Sequence, residues 1–212
     1  DGTISTPDGQ TIIASGLQIG FAGHPSSDPS LRGLDVYVGA ILDPGSTGPS
    51  YAGRATNSGL IDAPRADVTI TGSSVNQLGV INSSTSVALN GRIDLLANYN
   101  ARSSTNTLSQ NPPPFLFRST GLVTFGSGSI TQILPELEST ERVVGARLDL
   151  TSQINVQGLA LHLEDNAIAL APSATVTMNA GTWQLLGSGN TAAAAFIFSD
   201  GQIYLAPGAI ID

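Results

Sequence analysis

Apolar residues alternate with polar ones along much of this chain, most clearly between residues 57 and 97. A spacing of two residues is the side-chain period of a β-strand, and this stretch shows no helical spacing. Valine, isoleucine and threonine dominate it, as they do in strands. The recurring apolar positions are Leu60, Val68, Ile70, Val75, Leu78, Val80, Val87, Leu89, Ile93 and Leu95. The pattern predicts three or four short strands separated by tight polar turns that contain glycine.

One unit of this pattern recurs twice more along the chain. LIDAPRADV (60–68), IALAPSATV (168–176) and IYLAPGAII (203–211) share an apolar start, a central Ala-Pro, a second alanine and a β-branched end. Proline has no N–H, so it fits a strand end or a bend and not the middle of a ladder. Reuse of one strand–turn–strand unit is typical of stacked repeats. We therefore expect structural repeat corners at Ala63, Pro64, Ala171, Pro172, Ala206 and Pro207.

The junctions between the predicted strands favour one all-β architecture. Two-residue Asn-Gly or Asp-Gly hairpins, which a sandwich would use, are scarce, and single glycines, Ala-Pro and Ser-Ser take their place. We expect a right-handed parallel β-helix, in which short strands bend at corners and stack on the coil below. Residues 1–212 form one such segment of a longer shaft, with excursions at about 20–56, 98–118 and 184–200. Helix candidates are limited to the alanine run 192–195 and the segment 135–142.

Asparagines are frequent in this pattern, and they suggest a further feature of a stacked fold. Those singled out are Asn76, Asn82, Asn90, Asn155, Asn166 and Asn179. Side chains of this type form amide ladders when equivalent positions stack, and ladders at the corners are one interpretation of these residues. The alternative is that they are ordinary turn residues.

Composition narrows the class of partner. The chain has 212 residues, a net charge of −8 and 11% charged residues, and all eight basic residues are arginines. A nucleic-acid partner would demand a basic face, so none is expected. No apolar run approaches the roughly 18 residues that span a bilayer, and no membrane insertion is expected. The chain has no cysteine, which fits a reducing compartment or a bacterial exoprotein stabilised by repetition.

The central stretch resembles the filamentous-haemagglutinin type of exoprotein, the β-helical adhesins of bacterial two-partner secretion. The matching positions are Gly59, Ala63, Pro64, Val68, Ile70, Val75, Asn76, Gly79, Ile81 and Thr85 to Val87, with Asp200 to Asp212 similar to the same repeat. Ala66, Ala174 and Ala209 stand where that family often has glycine. The Asn-Pro-Asn-Gly signature of a secretion domain is missing, so the resemblance implies shaft and not secretion cap. It also implies secretion to the bacterial surface or the extracellular space.

The search for catalytic motifs yields little. His24 and His162 are isolated, and alternation places His162 on the outward face of its strand. Without cysteine a zinc site is not expected, without lysine Schiff-base chemistry is excluded, and the nucleophile-elbow and phosphate-loop motifs are missing. We expect no cofactor and no metal.

Carboxylates are the remaining candidates for chemistry, because β-helical enzymes that cleave polysaccharides line a groove with acidic residues from successive coils. The candidates are Asp62, Asp67, Asp94, Asp149, Glu164 and Asp165. Asp62, Asp94 and Asp149 flank apolar strand residues and are expected to stack on one outward face. The sequence shows no dense acid–arginine cluster on neighbouring coils, so we expect these side chains to be solubilising.

Exposed aromatic side chains offer another route to a carbohydrate ligand. Tyr37, Tyr51, Tyr99, Tyr204 and Trp183 are spread over separate units. A stripe of aromatic rings across coils would indicate sugar stacking, whereas one or two rings are typical loop anchors.

The sequence therefore favours a structural role without catalysis: a shaft or surface-adhesion segment. Its expected partners are neighbouring repeats or copies of itself stacked end to end, with a possible host-surface or carbohydrate ligand. The alternative is a carbohydrate-active β-helix enzyme, a polysaccharide lyase or hydrolase. A phage or virus fibre segment, which would form trimers, shares this composition.

Overall fold

The computed structural model describes residues 2–24, 31–42, 52–106, 113–140, 142, 151–172 and 174–212. These residues form strands, turns and one 3-10 turn at Gly189–Thr191, without an α-helix. The predicted all-β class is confirmed. The alanine run, a helix candidate in the sequence, instead lies in a strand, so that expectation was wrong. Two of the residues singled out above, Tyr51 and Asp149, lie outside the described residues.

Three parallel sheets account for most of the strands, which are numbered here in chain order. Sheet 1 contains β1 (Thr3–Ser5), β6 (Leu60–Ala63), β9 (Val80–Thr85), β16 (Ile130–Pro135), β19 (Ile168–Leu170) and β24 (Ile210–Ile211). Sheet 2 contains β2 (Gln10–Ala14), β7 (Asp67–Thr71), β10 (Arg92–Leu96), β17 (Gln153–Gly158) and β20 (Thr175–Ala180). Sheet 3 contains β5 (Arg54–Asn57), β8 (Ser74–Gln77), β15 (Leu122–Phe125), β18 (Ala160–Leu163) and β23 (Gln202–Leu205).

The chain visits these sheets in a fixed cyclic order. From β1 onward it passes from sheet 1 to sheet 2 to sheet 3 and back to sheet 1, and the strands of each sheet are stacked in sequence order. Every neighbouring pair within the three sheets is parallel; β7, for example, lies between β2 and β10. This arrangement of parallel sheets is compatible with the predicted β-helix.

Antiparallel strands fill three excursions, which all leave the chain between a strand of sheet 2 and a strand of sheet 3. The pairs are β3 (Ile19–Gly23) with β4 (Leu34–Val38), β11 (Asn98–Tyr99) with β14 (Ser119–Thr120), β12 (Arg102–Ser103) with β13 (Phe115–Leu116), and β21 (Thr182–Leu186) with β22 (Ala193–Ile197). β5 overlaps the end of the expected excursion 20–56, and β21 overlaps the start of the expected excursion 184–200. The excursions therefore project from one corner of the molecule.

One continuous apolar core is shared by the three sheets. Successive inward positions stack in rows; one row runs through Ile70, Leu95 and Val156, which are paired in register and essentially inaccessible to solvent. Burial of each such side chain contributes roughly 1.5–3 kcal/mol. The predicted strand period is therefore confirmed at these positions.

Five of the apolar positions singled out from the sequence are not core residues, namely Leu60, Leu78, Val80, Val87 and Leu89. Leu60, Leu78 and Val87 are 38–46% exposed. In the first unit the inward position belongs to Ile61, which is fully buried, because β6 begins one residue out of phase with the pattern expected from Leu60.

Two of the Ala-Pro corners, at Ala63-Pro64 and Ala206-Pro207, are β-turns of one type. Ala66 N–H donates to the Ala63 carbonyl at 3.1 Å, and Ala209 N–H donates to Ala206 at the same distance. The residue after proline has a positive φ, 54° at Arg65 and 76° at Gly208, which is the conformation that a type II turn requires.

The three Ala-Pro units do not occupy equivalent corners. Those at Ala63-Pro64 and Ala171-Pro172 connect sheet 1 to sheet 2, whereas Ala206-Pro207 connects sheet 3 to sheet 1. The same turn geometry is therefore used at two different corners of the stack.

Arg65 ties neighbouring strand layers together at the corner between sheets 1 and 2. Its Nε lies 2.6 Å from Asp8 Oδ1 on one side, and its Nη1 lies 2.7 Å from Glu136 Oε1 on the other. Asp8 has the same left-handed backbone, with φ of 58°, and its N–H donates to the Pro64 carbonyl at 3.0 Å. The Arg65 guanidinium lowers the pKa of the Asp8 carboxyl below its usual value.

Glycine is required where successive strand layers lie close together at the corner between sheets 3 and 1. A Cβ at Gly79 would overlap the backbone carbonyl of Gly59, and a Cβ at Gly59 would overlap that of Gly2. Val80 N–H donates to the Gly59 carbonyl at 2.9 Å, which holds the layers at this distance. These glycines are needed because no side chain fits, and not because of their backbone angles.

Amide ladders form on the strands, and they mix residue types. Asn82 Nδ2 donates to Asp62 Oδ1 at 2.9 Å, and Gln132 Nε2 donates to Asn82 Oδ1 at 3.1 Å. Inside the core, Asn57 Nδ2 donates to Gln77 Oε1 at 2.8 Å, so these two buried amides are paired. The interpretation as asparagine ladders at corners is wrong for Asn82, which lies within a strand between an aspartate and a glutamine.

Candidate functional site

The outer face of sheet 2 carries polar side chains that alternate with the buried core row. Asp67, Thr69 and Thr71 of β7 are all nearly inaccessible although they lie opposite the inward-facing Val68 and Ile70. A strand buried on both faces must be covered from outside. The cover comes from the β3–β4 excursion, which folds back over this sheet.

Side-chain hydrogen bonds hold this cover in place. Gln10 of β2 donates from Nε2 to the Leu34 carbonyl and accepts the Leu34 N–H at Oε1, both at 2.9 Å. Arg32 donates from Nη2 to the carbonyls of Arg65 and Asn90 at 2.8 Å and 2.7 Å. The start of β4 is therefore attached to the edge strand of sheet 2 and to two other layers of the stack.

Beneath this cover lies an acid–arginine cluster, formed by Arg32, Asp67, Arg92 and Asp94. Asp67 and Arg92 are direct register partners on β7 and β10. Arg92 Nε lies 2.9 Å from Asp94 Oδ2, and Asn155 Nδ2 donates to Asp94 Oδ1 at 2.8 Å. The sequence-based expectation that neighbouring coils carry no dense acid–arginine cluster is wrong.

Burial controls the ionisation of both acids in the cluster. Asp67 is 2% exposed, and its burial raises the pKa of the carboxyl to about 6, although Arg32 and Arg92 oppose the shift. Burial also raises the pKa of Asp94, against the charge of Arg92 and the hydrogen bonds from Asn155 and Arg92. Desolvation disfavours a buried carboxylate, which explains both directions.

A cleft of about 200 Å³ opens between β4 and the outer face of sheet 2. Its polar lining comes from five strands, β4, β7, β10, β11 and β17, and two aromatic rings form part of its wall. The residues that matter most here are Asp35, Tyr37, Arg92, Asp94, Asn98, Phe117 and Gln157. Asp94 and Arg92 belong to the cluster described above, whereas Asp67 does not reach the cleft.

Aromatic side chains from all three excursions form a continuous row beside this cleft. The neighbouring ring centroids lie 4.8–5.7 Å apart. The members of this aromatic row are Tyr37, Phe115, Phe117, Trp183, Phe196 and Phe198. The rings contact one another in stacked, tilted and edge-on pairs, which hold the excursions together, so the row provides packing first and ligand surface only at its edges.

The predicted acidic candidates are divided among different parts of the fold. Asp67 and Asp94 come together on the outer face of sheet 2. Asp62 lies on β6 in sheet 1, so the expectation that Asp62 and Asp94 share one outward face is wrong. Glu164 and Asp165 lie at the corner between β18 and β19.

Both histidines lie on strands or next to them. His162 is half-buried on β18, between the fully buried Leu161 and Leu163, which confirms its outward alternation, and its ring contacts Tyr204 edge-on at 5.8 Å. His24 Nε2 lies 3.8 Å from Asp35 Oδ1, and the His24 side chain is only 20% exposed.

Sequence reasoning missed several residues of the cleft, above all Asp35, Arg92, Asn98 and Phe117. One signal was available: Arg92 and Asp94 are two residues apart on a predicted strand and must share a face. The contribution of Asp35 had no such signal, since it depends on how the excursion folds back.

In the described part of the chain, no group of three or more side chains capable of holding a metal ion comes together. A search of the same residues finds no helix that is long and apolar enough to cross a membrane. Comparisons with protein-family models, with curated proteins and with solved structures give no significant match to this chain.

Proposed function

We propose that this chain is a segment of a right-handed parallel β-helix that serves as a structural shaft of a large extracellular protein, with a surface-adhesion role. The observation that carries the proposal is the cyclic order of the three sheets. Each sheet grows by one strand per turn of the chain, and one core runs through all of them. A solenoid of this kind gives stiffness by repetition, because each coil is bonded to the coils on both sides.

The placement of the excursions supports the same role. They leave between sheets 2 and 3 and are bound to each other by the aromatic row, so they build one lateral ridge along the stack. The contacts of a surface-adhesion segment belong on such a ridge, since loops carried by a rigid scaffold vary without loss of the core.

Secretion to the bacterial surface or the extracellular space is part of this proposal. It is supported by the resemblance of the central repeats to filamentous-haemagglutinin-type exoproteins and by a net charge of −8 without lysine. Neither nucleic acid nor membrane insertion has a place in the proposed role.

The end of the stack formed by β20, β23 and β24 supports end-to-end association. Ile203 and Leu205 pair in register with Leu161 and Leu163, which are fully buried, yet they are 44% and 50% exposed. They occupy core rows that continue to the edge of the stack without a further layer. We propose that a neighbouring repeat or a second copy of the chain covers them by adding strands to the open edges.

A double variant, Ile203→Arg with Leu205→Arg, tests this association. We expect the wild-type chain to increase in average mass with concentration in sedimentation velocity, because the open apolar rows attract a second copy. The double variant is expected to remain monomeric, since stacking would bury two unpaired charges. Leu137→Arg is the matched control, because Leu137 is 89% exposed in a turn remote from that edge.

Association that is unchanged in the double variant would contradict the proposed interface. A wild-type chain that stays strictly monomeric at all concentrations would contradict end-to-end stacking altogether. A trimer of fixed size would instead favour a fibre segment of the phage or virus type.

One observation favours a second candidate function, a carbohydrate-active enzyme. Asp35 and Asp94 line the same cleft, as the acid and base of a polysaccharide lyase or hydrolase would. Against this candidate, Asp94 is held by Arg92 and Asn155 and its side chain is only 8% exposed. Release of reducing or unsaturated ends from a polysaccharide would support the enzyme; its absence with intact binding would support the shaft.

A further inference from the structure

The cleft between β4 and sheet 2 has the polar composition of a small ligand site. Asp94 contributes carboxylate oxygens, Arg92 contributes guanidinium donors, and Gln157 contributes an amide, all from the rigid outer face of a parallel sheet. Asp35 adds a second carboxylate from β4, with a side chain 25% exposed. Donors and acceptors therefore meet in one cavity, and a ligand that offers both would satisfy them.

One buried atom in this lining lacks a partner. Asn98 is 2% exposed, and its Nδ2 donates to Gln157 Oε1 at 2.7 Å. Its Oδ1 is buried without a hydrogen bond to any described residue. Buried polar atoms are rarely left unpaired, because an unsatisfied group costs about 1–3 kcal/mol. A hydroxyl donor in the cleft would satisfy this amide.

Aromatic rings complete the wall of the cleft. Tyr37 and Phe117 both line it, and their rings stack on each other with centroids 5.2 Å apart. Burial and the nearby Asp35 raise the pKa of Tyr37 to about 12, so its hydroxyl stays protonated and can donate. The rings offer apolar surface beside the polar groups, and this combination suits a molecule with one apolar and one hydroxylated face.

Charge and size limit what this cavity accepts. Its two carboxylates, Asp35 and Asp94, oppose an anion, and Arg92 opposes a cation. Its volume of about 200 Å³ lies below the roughly 300–1,000 Å³ of sites for drug-sized ligands, so it holds a single ring-sized group. A neutral, polyhydroxylated ring meets all of these conditions.

We propose that the cleft is a binding subsite for one pyranose ring of a neutral glycan. The carboxylates accept hydrogen bonds from its hydroxyls, the amides accept and donate them, and the edges of the Tyr37 and Phe117 rings contact its C–H groups. The subsite gives the adhesion part of the proposed function a ligand class. It depends on sheet 2 and on the first two excursions and not on the open end of the stack, so its test is separate from that of end-to-end stacking.

Saturation-transfer difference NMR with glucose, galactose, mannose and their short neutral oligomers tests the subsite. We expect at least one of these probes to bind, with a dissociation constant on the order of 1 mM for a single ring. Gln157→Ala and Asp35→Asn are each expected to weaken binding by roughly fivefold or more, through the loss of one hydrogen-bonding group. Glucuronate, an anionic analogue, is expected to bind more weakly than its neutral parent.

Gln153→Ala is the matched control for Gln157→Ala. Both glutamines lie on β17, four residues apart on the same outward face, but only Gln157 lines the cleft. Each of three results would overturn the subsite. They are equal effects of the two substitutions, glucuronate binding as strong as neutral sugar binding, and no saturation-transfer signal from any probe. Cleavage of the oligomers during the experiment would replace it by the enzymatic candidate. Rod formation without any saccharide signal would overturn the subsite and leave the shaft proposal intact.

Discussion

At the scale of single residues, the acid–arginine cluster shows how burial and charge oppose each other. Asp67 is as inaccessible as the core residues behind it, and its Oδ1 has no hydrogen-bond partner within the described residues. Arg32 and Arg92 recover part of the lost solvation but not all of it, which leaves the pKa of Asp67 near 6. The ionised form is therefore less stable in the folded chain than in the unfolded one.

The first prediction concerns the pH dependence that this shift causes. The folded pKa is about 6 and the unfolded value about 3.8, so the folded state binds more protons between these values. The contribution of Asp67 to stability is full below about pH 4 and declines as pH rises to about 6, by at most about 3 kcal/mol. The side chain of the Asp67→Asn variant stays neutral at every pH. The free energy of unfolding of this variant is therefore expected to lack the pH-dependent decrease that Asp67 causes.

Urea unfolding of the wild type and Asp67→Asn at pH 4, 5, 6 and 7 measures the effect. The free energy of unfolding of Asp67→Asn is expected to increase relative to that of the wild type as pH rises. Asp62→Asn, at a half-buried outward position on sheet 1, serves as the control. A constant difference between wild type and Asp67→Asn over this range would contradict the assignment.

Single residues also show which parts of the site could be predicted from the sequence. Of the pair Arg92 and Asp94, only Asp94 was predicted as a candidate, although strand alternation places both on one face, where the structure pairs them. Alternation could not place Asp62 on a different sheet from Asp94, because the period of two identifies the face of a strand but not the sheet it joins. The position of Asp35 in the cleft could not be predicted from the sequence, because it depends on how the first excursion folds back over sheet 2.

At the scale of elements, the corners set the geometry of the stack. The Ala-Pro units were recognisable because proline and the following positive φ impose a single turn type. The sequence could not show that these units occupy two different corners, because the same turn is compatible with either change of direction. The alanine run was expected as a helix by propensity, but pairing with β21 makes it part of β22, as tertiary contacts override weak local preference.

The second prediction belongs to the glycine corner. Gly79→Ala is expected to destabilise the chain by about 3 kcal/mol or more, because the added methyl group overlaps the Gly59 carbonyl, and backbone cannot move aside cheaply. Gly23→Ala is the matched control, since a Cβ there meets nothing within 4 Å. Thermal unfolding monitored by circular dichroism compares the two variants. Equal stability of Gly79→Ala and Gly23→Ala would show that the layers are not in close contact at this corner.

At the scale of the whole molecule, repetition connects the core, the open edges and the ridge of excursions. The strand period and the Ala-Pro repeats were sufficient to predict an all-β chain with stacked units. They did not reveal that the excursions share one corner, because an insertion in the sequence does not show where its ends meet. The aromatic row followed from that arrangement, since Tyr37, Phe117 and Trp183 come from three distant segments.

Cryo-electron microscopy of the chain in solution tests the central claim, a β-helical shaft that continues by stacking. The account predicts thin rods with a layer spacing of about 4.8 Å along the axis and a lateral ridge on one side. Compact single particles, or a map in which hairpins join the strands of a sandwich, would contradict it.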